Sequence, residues 1–152
     1  MRFTTEEIAR VTGGVLRGDN VEVSGVSTDT RTIDEGCLFV AVRGERFDGN
    51  DFIPAAAQNG AAAALSDLSE GTVHVNIPVI YVRDTRAAQL ELARYYRDKF
   101  ALKLCGVTGS VGKTSTKDMI YAVLSAKYKT LRTQGNFNND IGLPRTLFGL
   151  DE

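Results

Sequence analysis

Short apolar runs alternate with helix-like stretches over the first hundred residues. Thr4 and Glu7 form a capping box, which predicts a helix that stops at Gly13-Gly14. Val15–Arg17 and Val21–Val26 read as short strands around a Gly18-Asp19-Asn20 turn. Leu38–Val42 is the clearest buried strand. Asp51 is a candidate cap for a helix over Phe52–Asn59, with Pro54 in its first turn and Gly60 at its end. Ala61–Leu65 and Val79–Val82 are further strand candidates. From Asp84 to about Phe100, Ala88, Leu92, Tyr96 and Phe100 recur every fourth residue and give a helix one apolar face for the core.

A second unit is predicted from about residue 101. Leu102–Val107 reads as a strand, Lys113–Ala126 as a helix with Ile120, Val123 and Leu124 inward, and Tyr128–Thr133 as another strand. Pro144 suits the first turn of a final helix. The alternation predicts an α/β fold: a small N-terminal α/β domain over 1–100, then from 101–152 the first part of a parallel-sheet domain. A parallel sheet needs cover on both faces, so this second unit looks like the front of a longer protein, with few partners for Leu147, Phe148 and Leu150.

Composition narrows the class. Of 152 residues, 43% are hydrophobic and 24% charged, which are globular values, and the net charge of −1 argues against nucleic acid as the main partner. The longest apolar run is too short to span a membrane, and no secretory leader opens the chain. Cys37 and Cys105 sit in strand-like contexts, and together with the lone His74 they make no zinc pattern. Two buried free thiols in a reducing cytosol are the expectation, hence a cytoplasmic protein.

The chemistry is concentrated at Thr108-Gly109-Ser110-Val111-Gly112-Lys113-Thr114-Ser115, a glycine-rich turn between a predicted strand and a predicted helix. Binding a nucleoside triphosphate requires backbone N–H groups that close around phosphate oxygens without side chains in the way. Lys113 supplies a positive charge for the outer phosphates, the Thr114 hydroxyl is a candidate Mg²⁺ ligand, and the helix dipole points at the same anion. This is the layout of an ATP or GTP site. Valine stands at 107, where the generic pattern has glycine.

Three other segments carry candidate site residues. Asn136, Asn138 and Asn139 crowd the loop after the predicted 128–133 strand; amides there can line a ligand crevice or simply make a turn. Ser27-Thr28-Asp29-Thr30-Arg31 precedes the Leu38 strand, and Arg43-Gly44 with Asp48-Gly49 follows it. Arginines can grip a diphosphate through paired N–H donors, but taken alone each segment reads more readily as a solvated turn.

Together these segments resemble the Mur ligase family, which builds the peptide stem of bacterial peptidoglycan. The likeness runs along essentially the whole chain: Thr28–Arg31, Gly36–Ala41, Arg43-Gly44 and Asp48-Gly49 in the first part, and the Thr-Gly-Ser-x-Gly-Lys-Thr loop, in which Val107 is ordinary for the family, in the second. The chain departs from the family at Cys37, where Asp is usual, and at Asn50, often His, so Asn50 is assigned no ligand role.

The resemblance implies a substrate domain for UDP-MurNAc, contacted by Ser27–Arg31, Arg43, Gly44, Asp48 and Gly49, followed by the start of a central ATPase domain. There residues 108–115 cradle the phosphates, Lys113 is catalytic, Thr114 holds Mg²⁺, and Asn136, Asn138 and Asn139 line the crevice. Thr114–Met119 with Gly135–Asn139 and Ile141–Pro144 is similar to the member that adds D-alanyl-D-alanine to UDP-MurNAc-tripeptide through an acyl phosphate. The alternatives are the preceding ligase, which adds the third stem residue, and a non-catalytic nucleotide-binding module. The resemblance further implies a monomeric enzyme when full length. It also implies that these 152 residues alone lack turnover, keeping at most weak binding of the sugar nucleotide or of phosphate.

Overall fold

The structure, a computed structural model, describes residues 1–135 and 139–151. Five strands form the main sheet: β2 (Val15–Arg17), β4 (Val26–Ser27), β5 (Leu38–Val40), β6 (Ala63–Ser66) and β7 (Val79–Tyr81). Their order is β2-β7-β6-β5-β4, parallel from β7 to β4, with β2 antiparallel at the β7 edge. The carboxyl ends of four strands therefore share one edge, where open α/β sheets place their ligands.

A run of consecutive apolar residues is what a sheet covered on both faces requires. Leu38, Val40, Leu65 and Ile80 face one side, and pack with Ile8 of α1 (Thr5–Thr12) and Ala88, Leu92 and Tyr96 of α3 (Thr85–Arg97). Phe39, Ala41, Ala64, Val79 and Tyr81 face the other, covered by Ile53 and Ala56 of α2 (Ile53–Gln58). Each large side chain removed from water in this way contributes about 1.5–3 kcal/mol. The predicted face of α3 is the buried one. The helix ends at Arg97, and Phe100 lies beyond it with its ring edge-on to Tyr96 at 5.1 Å.

Local signals at the helix ends are partly borne out. Thr4 Oγ1 accepts the Glu7 N–H, and Gly13 closes α1 in a left-handed conformation. The Glu7 carboxylate does not complete the box, because it accepts from Tyr95 and Lys99 instead. Asp51 caps nothing: Asp48 caps a 3₁₀ turn over Gly49–Phe52 that runs straight into α2. The expected Val21–Val26 strand divides at Ser24-Gly25. β3 (Glu22–Val23) pairs with β1 (Phe3–Thr4), and only β4 joins the main sheet.

The second unit departs further from expectation. Residues 102–107 and 128–133 form no strand, and α4 (Lys113–Ser125) has no buried residue, with Met119 at 69% and Val123 at 73% exposure. A two-strand parallel ladder with one helix leaves most of its polar backbone and both faces in water, so nothing drives it together. Cys105 is accordingly exposed, while Cys37 is buried and burial pushes its thiol pKa up. A thiol reagent such as Ellman's should modify one cysteine of the folded chain quickly and the second only on unfolding. Equal rates at both would place Cys37 outside the core.

The last helix, α5 (Gly142–Leu147), does find partners. It packs on α3, with Phe148 and Leu150 joining the first core and Tyr96 Oη donating to the Leu150 carbonyl at 2.7 Å. That corrects the expectation of few partners for Phe148 and Leu150.

Candidate functional site

The glycine-rich turn is exposed to solvent among the described residues. Gly109 has φ +149° and Gly112 has φ +80°, conformations that a Cβ makes costly, and Gly112 is the residue at which α4 begins. Thr108, Gly109, Ser110, Val111, Gly112, Lys113, Thr114 and Ser115 are all exposed. Lys113 Nζ donates to the Gly109 carbonyl at 2.6 Å, so the ammonium folds back across the turn. The start of α4 and this ammonium thus share one exposed stretch of backbone. An anion there meets positive charge from the side chain and from the helix terminus.

The Ser27–Arg31 segment leaves the carboxyl end of β4. Asp29 caps a 3₁₀ turn by accepting the Arg31 N–H at 3.0 Å, and the Arg31 guanidinium clasps the same carboxylate at 2.9 and 2.7 Å. Ser27 Oγ donates to the Asp29 carbonyl, and Asn59 Nδ2 to that of Thr30. The Arg31 side chain, then its backbone N–H, hold the Asp29 carboxyl down to about 2. A depressed carboxylate stabilises its turn above the unfolded-state value and loses that effect as pH falls through the folded one. Asp29 is therefore expected to stay ionised at pH 3. A carboxyl-carbon NMR titration should give a midpoint near 2, rising toward the ordinary aspartate value in Arg31→Ala; an ordinary midpoint in the parent chain would refute the clasp.

The segment after β5 lies beside it. Arg43 Nε reaches Asp67 at 3.0 Å and Asp48 at 3.6 Å, and the Gly44 and Gly49 N–H groups donate to the Phe47 and Val42 carbonyls. Asn50, 6% exposed, is the centre of this cluster. Its Nδ2 donates to Asp48 at 2.7 Å and Asp67 at 2.8 Å, and its Oδ1 accepts from Ser66 Oγ at 2.7 Å. A buried amide with its groups paired rigidifies what surrounds it, so Asn50 acts as scaffold. The Asn50 N–H, foremost, keeps the Asp48 carboxyl below its ordinary range.

Sequence reasoning missed Asp67, Ser66, Arg86 and Asp140. Arg86, in the first turn of α3, donates to the Arg43 carbonyl at 2.7 Å and to Asp140 at 2.9 Å. Asp67 follows a strand and Arg86 opens the helix after one, so both sit at the same carboxyl edge; that placement was the available signal. Asn139 is described: its Oδ1 accepts the N–H of Gly142, the first residue of α5, at 2.8 Å. Asn136 and Asn138 lie outside the described residues. Among the described residues, the structure thus brings Ser27–Arg31, Arg43–Gly49 and Asn139 to one edge of the sheet, and the 108–115 turn is not part of that cluster.

Elsewhere, a cleft of about 330 Å³ is lined by Thr12, Gly13, Arg83, Asp84 and Glu91 and holds none of the selected residues. Among the described residues no His, Cys, Asp and Glu group of three or more could hold a metal, and no helix is long and apolar enough to cross a membrane.

Comparison with known proteins bears on all of these segments. Residues 22–97 match the Mur ligase family catalytic domain and residues 107–152 the Mur ligase middle domain. The UDP-N-acetylmuramoyl-tripeptide–D-alanyl-D-alanine ligase of Bacillus subtilis is 44% identical over 155 residues, covering 100% of this chain and 34% of its own length. A crystal structure of MurF from Acinetobacter baumannii superposes with a TM-score of 0.91 at 35% identity, over 99% of this chain and 34% of that one. The Thermotoga maritima MurF ligase in complex with ADP gives 0.74 at 37% identity, over 82% and 28%. The chain therefore spans about a third of the length of these relatives. With one family model matching half its length, a second matching most of the remainder, and the same α/β fold in solved relatives, the chain belongs to the Mur ligase family.

Proposed function

We propose that this chain is the substrate-holding and phosphate-gripping part of an ATP-dependent ligase that joins D-alanyl-D-alanine to UDP-N-acetylmuramoyl tripeptide. In this reading residues 1–100 form the sugar-nucleotide domain and residues from 101 begin the ATP-binding domain. The observation that carries it is the exposed 108–115 turn with Lys113 folded across it, on the same chain as an arginine-bearing carboxyl edge.

The reaction is carboxylate activation. A carboxylate oxygen of the tripeptide attacks the γ-phosphorus of ATP, the bond to ADP breaks, and an acyl phosphate results. The amine of the dipeptide attacks the acyl carbon, inorganic phosphate leaves, and the amine gives up a proton as the amide forms. Anions crowd this centre, so the protein's main task is to align and neutralise them. Lys113 exchanges the Gly109 carbonyl for the outer phosphates, and the loop N–H groups of Gly109, Ser110 and Gly112 enclose the rest.

Thr114, exposed one residue beyond Lys113, presents the hard oxygen that Mg²⁺ accepts beside phosphate and water, so the residues present fit that ion. When bound, Mg²⁺ neutralises phosphate charge. At the sheet edge, Arg31 and Arg43 are placed to hold the uridine diphosphate, with Asn139 at the crevice. The test is phosphate release by a chain extended to the relatives' length. Release should require the UDP-muramoyl tripeptide and D-alanyl-D-alanine together. Release with the dipeptide precursor and a diamino acid instead would assign the preceding ligation step.

A further inference from the structure

Arg86 ties together two segments that are far apart in sequence. Its guanidinium donates to the Arg43 carbonyl, on the loop after β5, at 2.7 Å, and to the Asp140 carboxylate at 2.9 Å. Arg86 itself is anchored: Asp84 accepts its N–H at 2.8 Å as the cap of α3, and Thr85 Oγ1 donates to the Ala41 carbonyl at 3.0 Å, both at the same edge. On the far side, Asp140 adjoins Asn139, whose backbone and side-chain oxygens accept the Leu143 and Gly142 N–H groups that start α5. Neither sequence motif contains Arg86, which stands at the carboxyl edge beside the Arg43 loop.

From this geometry we infer that Arg86 is a positioning residue that couples the Arg43–Gly49 loop to the Asn139–Leu143 segment, so that a ligand held by the first orders the second. A planar guanidinium can serve a carbonyl and a carboxylate at once, whereas an ammonium on a flexible stem is a single point charge. The Arg86 and Asp140 side chains are 40% and 39% exposed, so the pair alone is a modest tether, and the bridge to the Arg43 carbonyl is what transmits ligand occupancy. The identity of the ligand rests on the function proposed above; the tether does not.

The test is amide hydrogen exchange at Gly142 and Leu143 in this chain, free and with UDP-N-acetylmuramoyl tripeptide. Without ligand, Arg86→Gln and Asp140→Asn should each speed exchange there about fivefold relative to mid-α3 amides, and the double variant should do no more than either single one. Ligand should slow exchange at these two amides in the parent chain. In Arg86→Lys the ligand-free rate should return to that of the parent while the ligand-induced slowing stays absent. A ligand-free rate that changes less than about twofold in Arg86→Gln overturns the tether. Full recovery of both readouts in Arg86→Lys overturns the coupling and leaves a structural ion pair. If calorimetry shows no binding by the parent chain, the sugar-nucleotide assignment falls, and the ligand-free rates decide the positioning role alone.

Discussion

Lys113→Ala is expected to lower ATP-dependent turnover about 10³-fold in a chain extended to the relatives' length, with the fold unchanged. The reason lies in the charge balance of the turn. Two glycine conformations and the start of α4 set the backbone, and Lys113 brings a full positive charge to it. Its side chain is exposed and its partner among the described residues is the Gly109 carbonyl, so thermal stability should move by less than about 0.5 kcal/mol. Arginine at 113 should restore little, because a rigid fork cannot reach the same point between phosphates as an ammonium on a flexible stem. Phosphate release and a far-UV melt on the same preparations separate the two effects. Turnover within tenfold of the parent would remove Lys113 from the catalytic machinery.

The largest stability effect is expected at Gly49→Ala. A Cβ there would stand 2.5 Å from the Val42 carbonyl oxygen and 2.6 Å from its nitrogen, with the Ala41 carbonyl carbon at 2.7 Å. These are main-chain atoms at the end of β5 and cannot step aside as a side-chain tip can. Overpacking of this kind costs about 3 kcal/mol, or roughly 6–12 °C of melting temperature for a domain of this size. The displaced loop also carries Asp48 and Asn50, so the Arg43–Asp67 cluster should loosen with it. Gly106→Ala, with nothing within 4 Å of the added carbon, is the matched control and should be near neutral. Equal melting temperatures for the two variants would contradict the close approach.

Much of the first unit was legible in the sequence because its signals are local. Apolar runs at Leu38–Val40 and Val79–Tyr81 mark strands buried on two faces, and the four-residue recurrence through Tyr96 marks the inner face of α3. What depended on contacts across the fold was not legible. Asp48 rather than Asp51 caps the turn before α2 because Gly49 is drawn against Val42. Asn50 reads as a polar loop residue, yet it is buried by Ser66 and Asp67, which arrive beside it only through the β5–β6 register.

In the second unit the local signals were right that α4 and α5 form, but misleading for the strands and for an inward face of Ile120, Val123 and Leu124, none of which is buried. Leu102–Val107 and Tyr128–Thr133 have strand composition, but a strand exists only with a neighbour and cover, and Leu104 and Tyr128 stay exposed. The phosphate-loop motif survives this because it is made of backbone turns and one helix end, which need no sheet partner. Arg86 escaped notice for the opposite reason: its place at a helix start marks the edge but not its role, and the side-chain partners that give the role lie 43 and 54 residues away.

The most direct test of a sugar-nucleotide edge joined to a phosphate turn is calorimetry of this 152-residue chain against UDP-N-acetylmuramoyl tripeptide and against UDP alone. The account predicts measurable heat with the tripeptide conjugate, weaker binding of UDP, and loss of both in an Arg31→Ala/Arg43→Ala double variant that still melts cooperatively. Absence of binding to either ligand by the folded parent chain would contradict it.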